Sequence, residues 1–164
     1  MPLSGAAKMP RKYPFYPAYD GKHASPVTEW FVHACNRRWG FTNLGIYANR
    51  QMRSGKGLSV HATGWACDVG YGTTPEGRAK AVEAWNWLLA NSKALGICEV
   101  HDYAYGKWGR GYRCSRGEGT KGVKVYPDLA NSAGTPGGRW LHVELDPTWT
   151  LEAFQAAWKA LPKP

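Results

Sequence analysis

Residues 59–68 read Ser-Val-His-Ala-Thr-Gly-Trp-Ala-Cys-Asp, a run that places an imidazole and a carboxylate seven residues apart across a glycine turn. A loop that leads into a strand can bring His61 and Asp68 to one point. Zinc accepts nitrogen from histidine and oxygen from aspartate, and a catalytic zinc site requires three protein ligands with a fourth position open. The run therefore indicates two of three metal ligands, with a His–Asp hydrogen bond in the absence of metal as the alternative.

The third ligand is expected on a strand near the C-terminal end of the chain. Residues 139–145 alternate polar and apolar side chains, and His142 and Glu144 fall on the polar face. Such a strand directs His142 away from the core and into a cleft. The same alternation over residues 97–105 places His101 on a polar face, so we expect His101 to share the cleft. The two remaining histidines are interpreted as surface residues: His23 and His33.

The sequence on either side of this run predicts an α+β fold. Apolar residues at helical spacing predict helices that begin near Val27, after Thr74 and near Leu151. Strands are expected within residues 43–72 and at residues 97–105, 122–126 and 139–145, with a glycine-rich basic loop between residues 105 and 120. Because the strands cluster rather than alternate strictly with helices, the order favours α+β over a doubly wound sheet.

Length and composition predict one domain with an N-terminal extension. The chain has 164 residues, of which 43% are hydrophobic and 20% charged, and these values exclude wholesale disorder, collagen and coiled coil. Residues 1–26 contain five of the eleven prolines, four basic residues and an aromatic run. We predict an extended basic arm over residues 1–26 and a single domain over residues 27–164. The arm is interpreted as a strap packed on the domain, with a partner-binding tail as the alternative.

Charge and cysteine content restrict the partners. Lysine and arginine exceed aspartate and glutamate by 21 − 12, a net charge of +9, so the surface should attract nucleic acid or the acidic polymers of a cell envelope. No run of apolar residues suffices for a membrane helix, and the N-terminus lacks the apolar core of a signal peptide, so we expect neither membrane insertion nor an export signal. The four cysteines form no CxxC pair and are interpreted as buried free thiols, with a single disulfide as the alternative: Cys35, Cys67, Cys98 and Cys114.

Five residues of the run at 59–68 match a known signature. Ser59, His61, Gly64, Ala66 and Asp68 are similar to the SxHxxGxAxD pattern of zinc D-Ala-D-Ala carboxypeptidases and phage endolysin peptidases. These enzymes belong to the lysostaphin, D-Ala-D-Ala carboxypeptidase and Hedgehog superfamily. A later strand with one histidine also fits, so the resemblance extends roughly over residues 43–145 in the order of elements.

The resemblance implies a fold, a cofactor and a substrate. It implies a small antiparallel sheet backed by helices, and one Zn²⁺ ion bound by His61, Asp68 and His142. It implies hydrolysis of amide bonds in bacterial peptidoglycan by a phage endolysin or virion-associated lysin, which reaches the cell wall through a holin or on the virion.

The resemblance also implies residues that bind the substrate. The family's arginine that anchors a substrate carboxylate is matched to Arg50, with Arg53 as the second choice. Ser59 is grouped with them and is expected to hydrogen-bond a metal ligand, since no GxSxG elbow surrounds it.

One feature of the family pattern is missing. The family's catalytic base is an acid three residues before the final histidine or a histidine two residues before it, and these positions hold Arg139 and Trp140. Neither side chain can accept a proton at working pH. Glu144 and His101 are therefore the candidate bases, and Arg139 or Arg50 is the candidate for stabilising the oxyanion. For Glu144 the alternative is a solvated carboxylate at the end of the strand, paired with Arg139 or with a nearby lysine.

Two other functions stay open. Without a base, the same fold could bind the cell wall or another virion protein and hydrolyse nothing. Nucleic-acid binding is supported only by the net charge and by aromatic and basic residues interleaved over residues 103–113, and it ranks last.

Overall fold

Six antiparallel strands form one open sheet in a computed structural model that describes residues 10–15 and 20–164. The order β1-β2-β6-β3-β4-β5 places β6, the last strand in the chain, between β2 and β3. The predicted α+β class is confirmed. The strands that carry His101 and His142, β3 and β6, are neighbours. The strands are β1 (Thr42–Gly45), β2 (Ala66–Gly70), β3 (Ile97–Asp102), β4 (Arg110–Arg113), β5 (Val123–Val125) and β6 (Trp140–Leu145).

Three helices lie where apolar spacing predicts them: α1 (Pro26–Trp39), α2 (Pro75–Ala90) and α3 (Leu151–Ala160). Each begins after a serine or threonine whose hydroxyl accepts a hydrogen bond from the backbone N–H three residues later. Such caps satisfy N–H groups that have no partner within the helix. None of these helices, within the described residues, is long and apolar enough to cross a membrane.

The helices cover one face of the sheet and leave the other to the polar residues. Side chains such as Val69, Leu141 and Val143 form one core cluster with Phe31 and Phe154 of the helices. Because side chains alternate along a strand, the polar residues between them point to the opposite face. The metal-ligand candidates on β2 and β6 therefore lie across the sheet from the helix layer.

The loop predicted between residues 105 and 120 is wrong in part, because it contains strand β4. This strand pairs with β3 on one side and β5 on the other. Its outer residues Arg110 and Arg113 are long cations whose heads reach the buried carboxylates of Asp102 and Glu99 on β3. In a sequence, arginines at such positions are interpreted as solvent-exposed loop residues. The pattern therefore does not indicate a strand in the interior of the sheet.

The described part of the N-terminal arm lies against the domain. The backbone N–H of Arg11 donates to the carbonyl of Cys114 at 3.0 Å, and the guanidinium of Arg11 pairs with Glu118. Phe15 is buried in the core cluster. Residues 1–9 and 16–19 of the predicted arm lie outside the described residues. All four cysteines are buried free thiols, as predicted.

Candidate metal centre

His61 lies in a one-turn 3-10 helix, Val60–Thr63, whose two ends explain the signature residues around it. The Ser59 hydroxyl accepts from the backbone N–H of His61 at 3.3 Å and caps the first end. Gly64 ends the turn at φ 76°, in the left-handed region. A Cβ at Gly64 would lie 1.7 Å from the carbonyl oxygen of His23, so both the backbone angle and the space require glycine.

The imidazole of His61 is held in one tautomer. Its Nδ1 lies 2.8 Å from the carbonyl oxygen of Ile46, just after β1. Since a carbonyl only accepts, Nδ1 carries a hydrogen, and in the neutral imidazole the lone pair is therefore on Nε2. That Nε2 lies 3.4 Å from Oδ2 of Asp68. A buried backbone oxygen therefore prepares His61 to bind a cation through Nε2.

Asp68 and His142 meet because they are direct partners in the β2–β6 pairing. Nδ1 of His142 lies 3.0 Å from Oδ1 of Asp68, and its Nε2 lies 2.9 Å from Oε1 of Glu144. The ring centres of His61 and His142 are 4.9 Å apart. One ligand atom from each of His61, Asp68 and His142 lies within 4.8 Å of the other two, so these three residues can hold a metal ion.

The electrostatics of the cluster favour a bound cation. Burial alone would raise the pKa of Asp68, but hydrogen bonds and charge from His142 and His61 hold that pKa well below its ordinary value. Burial alone would lower the pKa of His142, because it also disfavours the charged form of a base. The hydrogen bonds to Asp68 and Glu144 instead raise this pKa to about 10. A proton on His142 thus balances the two carboxylates, and a metal ion that displaced this proton would take over its role.

Glu144 is buried beside His142, and both of its oxygens have partners. Oε1 faces His142, and the hydroxyl of Tyr13 donates to Oε2 at 2.5 Å. Burial and the neighbouring carboxylates raise the pKa of Tyr13, so its hydroxyl stays a donor. Arg113 lies 4.3 Å from the centre of the Tyr13 ring. The N-terminal segment therefore contributes a tyrosine that fixes the carboxylate behind His142, a contact that no local sequence pattern indicates.

His101 is the cross-strand partner of His142, with ring centres 5.5 Å apart. Its Nε2 pairs with Glu99, and its Nδ1 lies 2.9 Å from the hydroxyl of Tyr126. Burial would raise the pKa of Glu99, but His101 and Arg113 lower it to about 2. The alternation of β3 already places Glu99 on the face of His101, whereas nothing in the sequence indicates Tyr126.

A glycine makes room for the contact between His101 and Tyr126. A Cβ at Gly111 would lie 2.0 Å from the Tyr126 hydroxyl and 2.8 Å from Nδ1 of His101. Any side chain at this position of β4 would displace one of the two groups. The pairing of imidazole and phenol thus depends on residues from β3, β4 and the end of β5.

The three arginines proposed from the sequence lie on exposed positions. Arg50 donates to the carbonyl of Gln51 at 3.3 Å, and Arg53 donates to the Thr135 hydroxyl at 2.7 Å. Arg139 immediately precedes β6. Within the described residues, no hydrogen bond or ion pair joins these guanidinium groups to the three metal-ligand candidates. Among the described residues they make no such contact with the cluster, whereas His61, Asp68, His142, Glu144 and His101 lie together.

Comparison with family models, with curated proteins and with solved structures gave no match for this chain in any of the three.

Proposed function

We propose that this protein is a zinc-dependent peptidase that hydrolyses amide bonds of bacterial peptidoglycan, as an endolysin or virion-associated lysin of a phage. The observation that carries the proposal is the convergence of His61, Asp68 and His142 with both imidazoles held in ligand-ready orientations. The signature at residues 59–68 and the antiparallel sheet backed by helices are consistent with the fold of the D-Ala-D-Ala peptidases and Hedgehog proteins.

The donor set supports zinc as the ion. Ligands at about 2.1 Å around a tetrahedral zinc ion lie about 3.4 Å from one another. Nε2 of His61 lies 3.4 Å from Oδ2 of Asp68, and Nδ1 of His142 lies 3.0 Å from Oδ1, so each imidazole is at about this separation from one oxygen of the carboxylate. Two nitrogens and one carboxylate also leave a fourth position for water, as catalytic zinc sites do.

Glu144 and Tyr13 are proposed to orient His142 rather than to move protons. When bound, zinc would supply a Lewis acid that polarises the scissile carbonyl and activates water. Glu144 accepts from Nε2 of His142 and thereby keeps Nδ1 directed at the cluster. A carboxylate in this position increases the basicity of the ligand. Tyr13 holds the second oxygen of Glu144, so this carboxylate is poorly placed to accept a proton from water.

His101 is the group we favour as the general base. With Nε2 donating to Glu99, its Nδ1 carries the lone pair, which accepts from Tyr126. Its side chain is 15% exposed, compared with 5% for Glu144, so water has better access to it. Rotation of the Tyr126 hydroxyl would free Nδ1 to take a proton from the attacking water. Arg50, Arg53 and Arg139 are then available for the carboxylates of the substrate.

The test is metal content together with hydrolysis of cell walls. Purified protein should bind one zinc per chain and lower the turbidity of a cell-wall suspension, and a chelator should stop both. His142→Ala should lose zinc and activity, while His33→Ala, which alters an exposed histidine on α1, should retain both. Zinc-loaded protein that cleaves no wall type would contradict the peptidase proposal, and protein that binds no zinc would contradict its metal site.

A wall-binding module of the same fold is the second candidate. It is favoured by Arg139 and Trp140 at the positions of the family's base, and by the partners that already occupy both nitrogens of His101. His101→Ala separates the two candidates when hydrolysis and wall binding are measured on the same variant. Loss of hydrolysis with binding retained supports the peptidase, whereas unaltered binding with no hydrolysis even in the unmodified protein supports the module.

A further inference from the structure

A groove of about 570 Å³ lies between α1 and α3, in the helix layer across the sheet from the metal-ligand candidates. Its described lining includes no acidic side chain. Several cations gathered in one concave surface produce a local positive potential that attracts anions. The charged and aromatic residues of the lining are Arg37, Arg38, Lys159, Lys163, Trp30 and Trp158.

Arg38 has an unsatisfied donor in this groove. Its Nη1 is buried without a hydrogen-bond partner, and among residues 10–15 and 20–164 it is the one buried side-chain nitrogen or oxygen in this condition. The guanidinium lies 4.3 Å from the ring centre of Trp158 and 4.5 Å from that of Trp87. The indole faces stabilise the positive charge of the guanidinium, but they provide no hydrogen-bond acceptor for its N–H group. An anionic oxygen is the strongest acceptor for a guanidinium N–H.

The rest of the lining indicates what carries that anion. Arg37 lies over the ring of Trp30 at 5.6 Å, so a second cation and a second indole extend the groove. Lys159 and Lys163 add two flexible ammonium groups from α3 and the segment after it. Four cations suit a polymer with repeated anionic groups better than a ligand with a single charge. The partly exposed indole of Trp30 offers a flat apolar surface to the ring of a sugar.

We propose that this groove binds an acidic glycopolymer of the bacterial cell wall, with a phosphate or carboxylate oxygen on the guanidinium of Arg38 and a sugar ring against the indole of Trp30. The assignment of the polymer to the cell wall rests on the proposed peptidase function, whereas the anion site itself does not. Because the groove and the metal cluster lie on opposite sides of the sheet, the protein can hold the wall through one while the other acts on peptide.

The experiment measures binding of zinc-loaded protein to purified poly(glycerol phosphate) and to polygalacturonate at low ionic strength. Neither polymer contains peptide, so a failure of the proposed hydrolysis does not affect the result. A triple variant of the groove, R37Q/K159Q/K163Q, should raise the Kd at least about tenfold, since charged hydrogen bonds are lost. The control K107Q/K121Q/K124Q removes three charges at exposed positions outside the groove and should change the Kd less than about twofold.

Arg38→Gln tests the unsatisfied donor directly, with circular dichroism to verify the fold because Arg38 packs on indoles. It should weaken binding as much as the triple variant. Preference for one of the two polymers would identify phosphate or carboxylate as the natural group. Equal weakening by the groove and control variants, no saturable binding to either polymer, or tighter groove-dependent binding to double-stranded DNA would each overturn the proposal.

Discussion

Two carboxylates on the sheet, one fully buried and one half-buried, have different kinds of partner. Asp102, at the end of β3, is fully buried and is held by the guanidinium groups of Arg78 at 2.7 Å and Arg110 at 3.1 Å. Asp68, on β2, is paired with the imidazoles of His61 and His142, and no other ion-pair partner lies beside it among the described residues. Guanidinium groups stay charged at any working pH, so the charge at Asp102 is permanently balanced. An imidazole can lose its proton. The protonated His142 that balances the charge of Asp68 can therefore be replaced in this role by a metal ion.

The difference separates a structural ion pair from a candidate site. The charge of an aspartate between two arginines is already neutralised by the two guanidinium groups, and such an aspartate does not need a further cation. An aspartate between two histidines brings three potential ligand atoms to one place, and a metal ion can replace the proton on His142 there. Five experiments test this distinction and the site around it.

Asp68→Asn should produce the largest effect, on metal binding. It removes the only charged oxygen among the three candidate ligands, and we expect the Kd for zinc to rise by about a thousandfold or more. Calorimetric titration with zinc measures it. Asp102→Asn, if it folds, should leave the zinc stoichiometry unchanged. Zinc affinity that survives Asp68→Asn would remove this residue from the site.

Asp102→Asn should produce a large loss of stability. It leaves Arg78 and Arg110 partly buried without their shared carboxylate, and breaking such a pair costs about 3 kcal/mol of unfolding free energy. Urea denaturation measures it. In zinc-free protein Asp68→Asn should cost less, because His142 can lose its proton. A larger loss for Asp68→Asn than for Asp102→Asn would contradict the comparison.

Gly64→Ala should also destabilise the protein by about 3 kcal/mol, because it adds strain and overlap beside His61. Gly137→Ala is its matched control, since Gly137 has φ 81° but a Cβ there would meet open space. The control should cost only about 1 kcal/mol, the price of the backbone angle alone. Thermal unfolding of both variants separates the cost of the backbone angle from the cost of the overlap with His23, and zinc titration measures the effect on the site. Equal losses of stability in the two variants would show that the contact with His23 does not constrain the turn.

Zinc affinity should depend on pH. The pKa of His142 is raised to about 10, so below that pH the free protein carries a proton that zinc must displace. The Kd should therefore fall about tenfold for each unit by which pH rises from 6 to 9. Competition with a chelator of known pH dependence measures it. An affinity that is flat over this range would show that His142 is already neutral.

The stability of the zinc-free protein should change in the opposite direction. The contribution of the protonated His142 is fully present below the ordinary pKa of 6.5 and is lost as pH rises through about 10. Thermal unfolding of metal-free protein should therefore occur at lower temperature at pH 10 than at pH 7. In the variant His142→Ala this part of the pH dependence should disappear.

Much of the fold and the three candidate ligands could be predicted from sequence, for identifiable reasons. The helices have apolar residues at regular spacing, and His101 and Glu144 follow from simple alternation along two strands. Strand β4 was missed because its arginines pair with buried carboxylates. The Tyr13 contact with Glu144 spans 131 positions of the chain, and the tautomer of His61 depends on a backbone oxygen. No residue type or spacing indicates such contacts.

The most direct measurement is anomalous diffraction at the zinc edge from crystals grown with zinc. We expect a single strong peak in contact with Nε2 of His61, an oxygen of Asp68 and Nδ1 of His142, with Nε2 of His142 still on Glu144. No peak at these atoms in the presence of excess zinc, with Asp68 still hydrogen-bonded to a protonated His142, would contradict it.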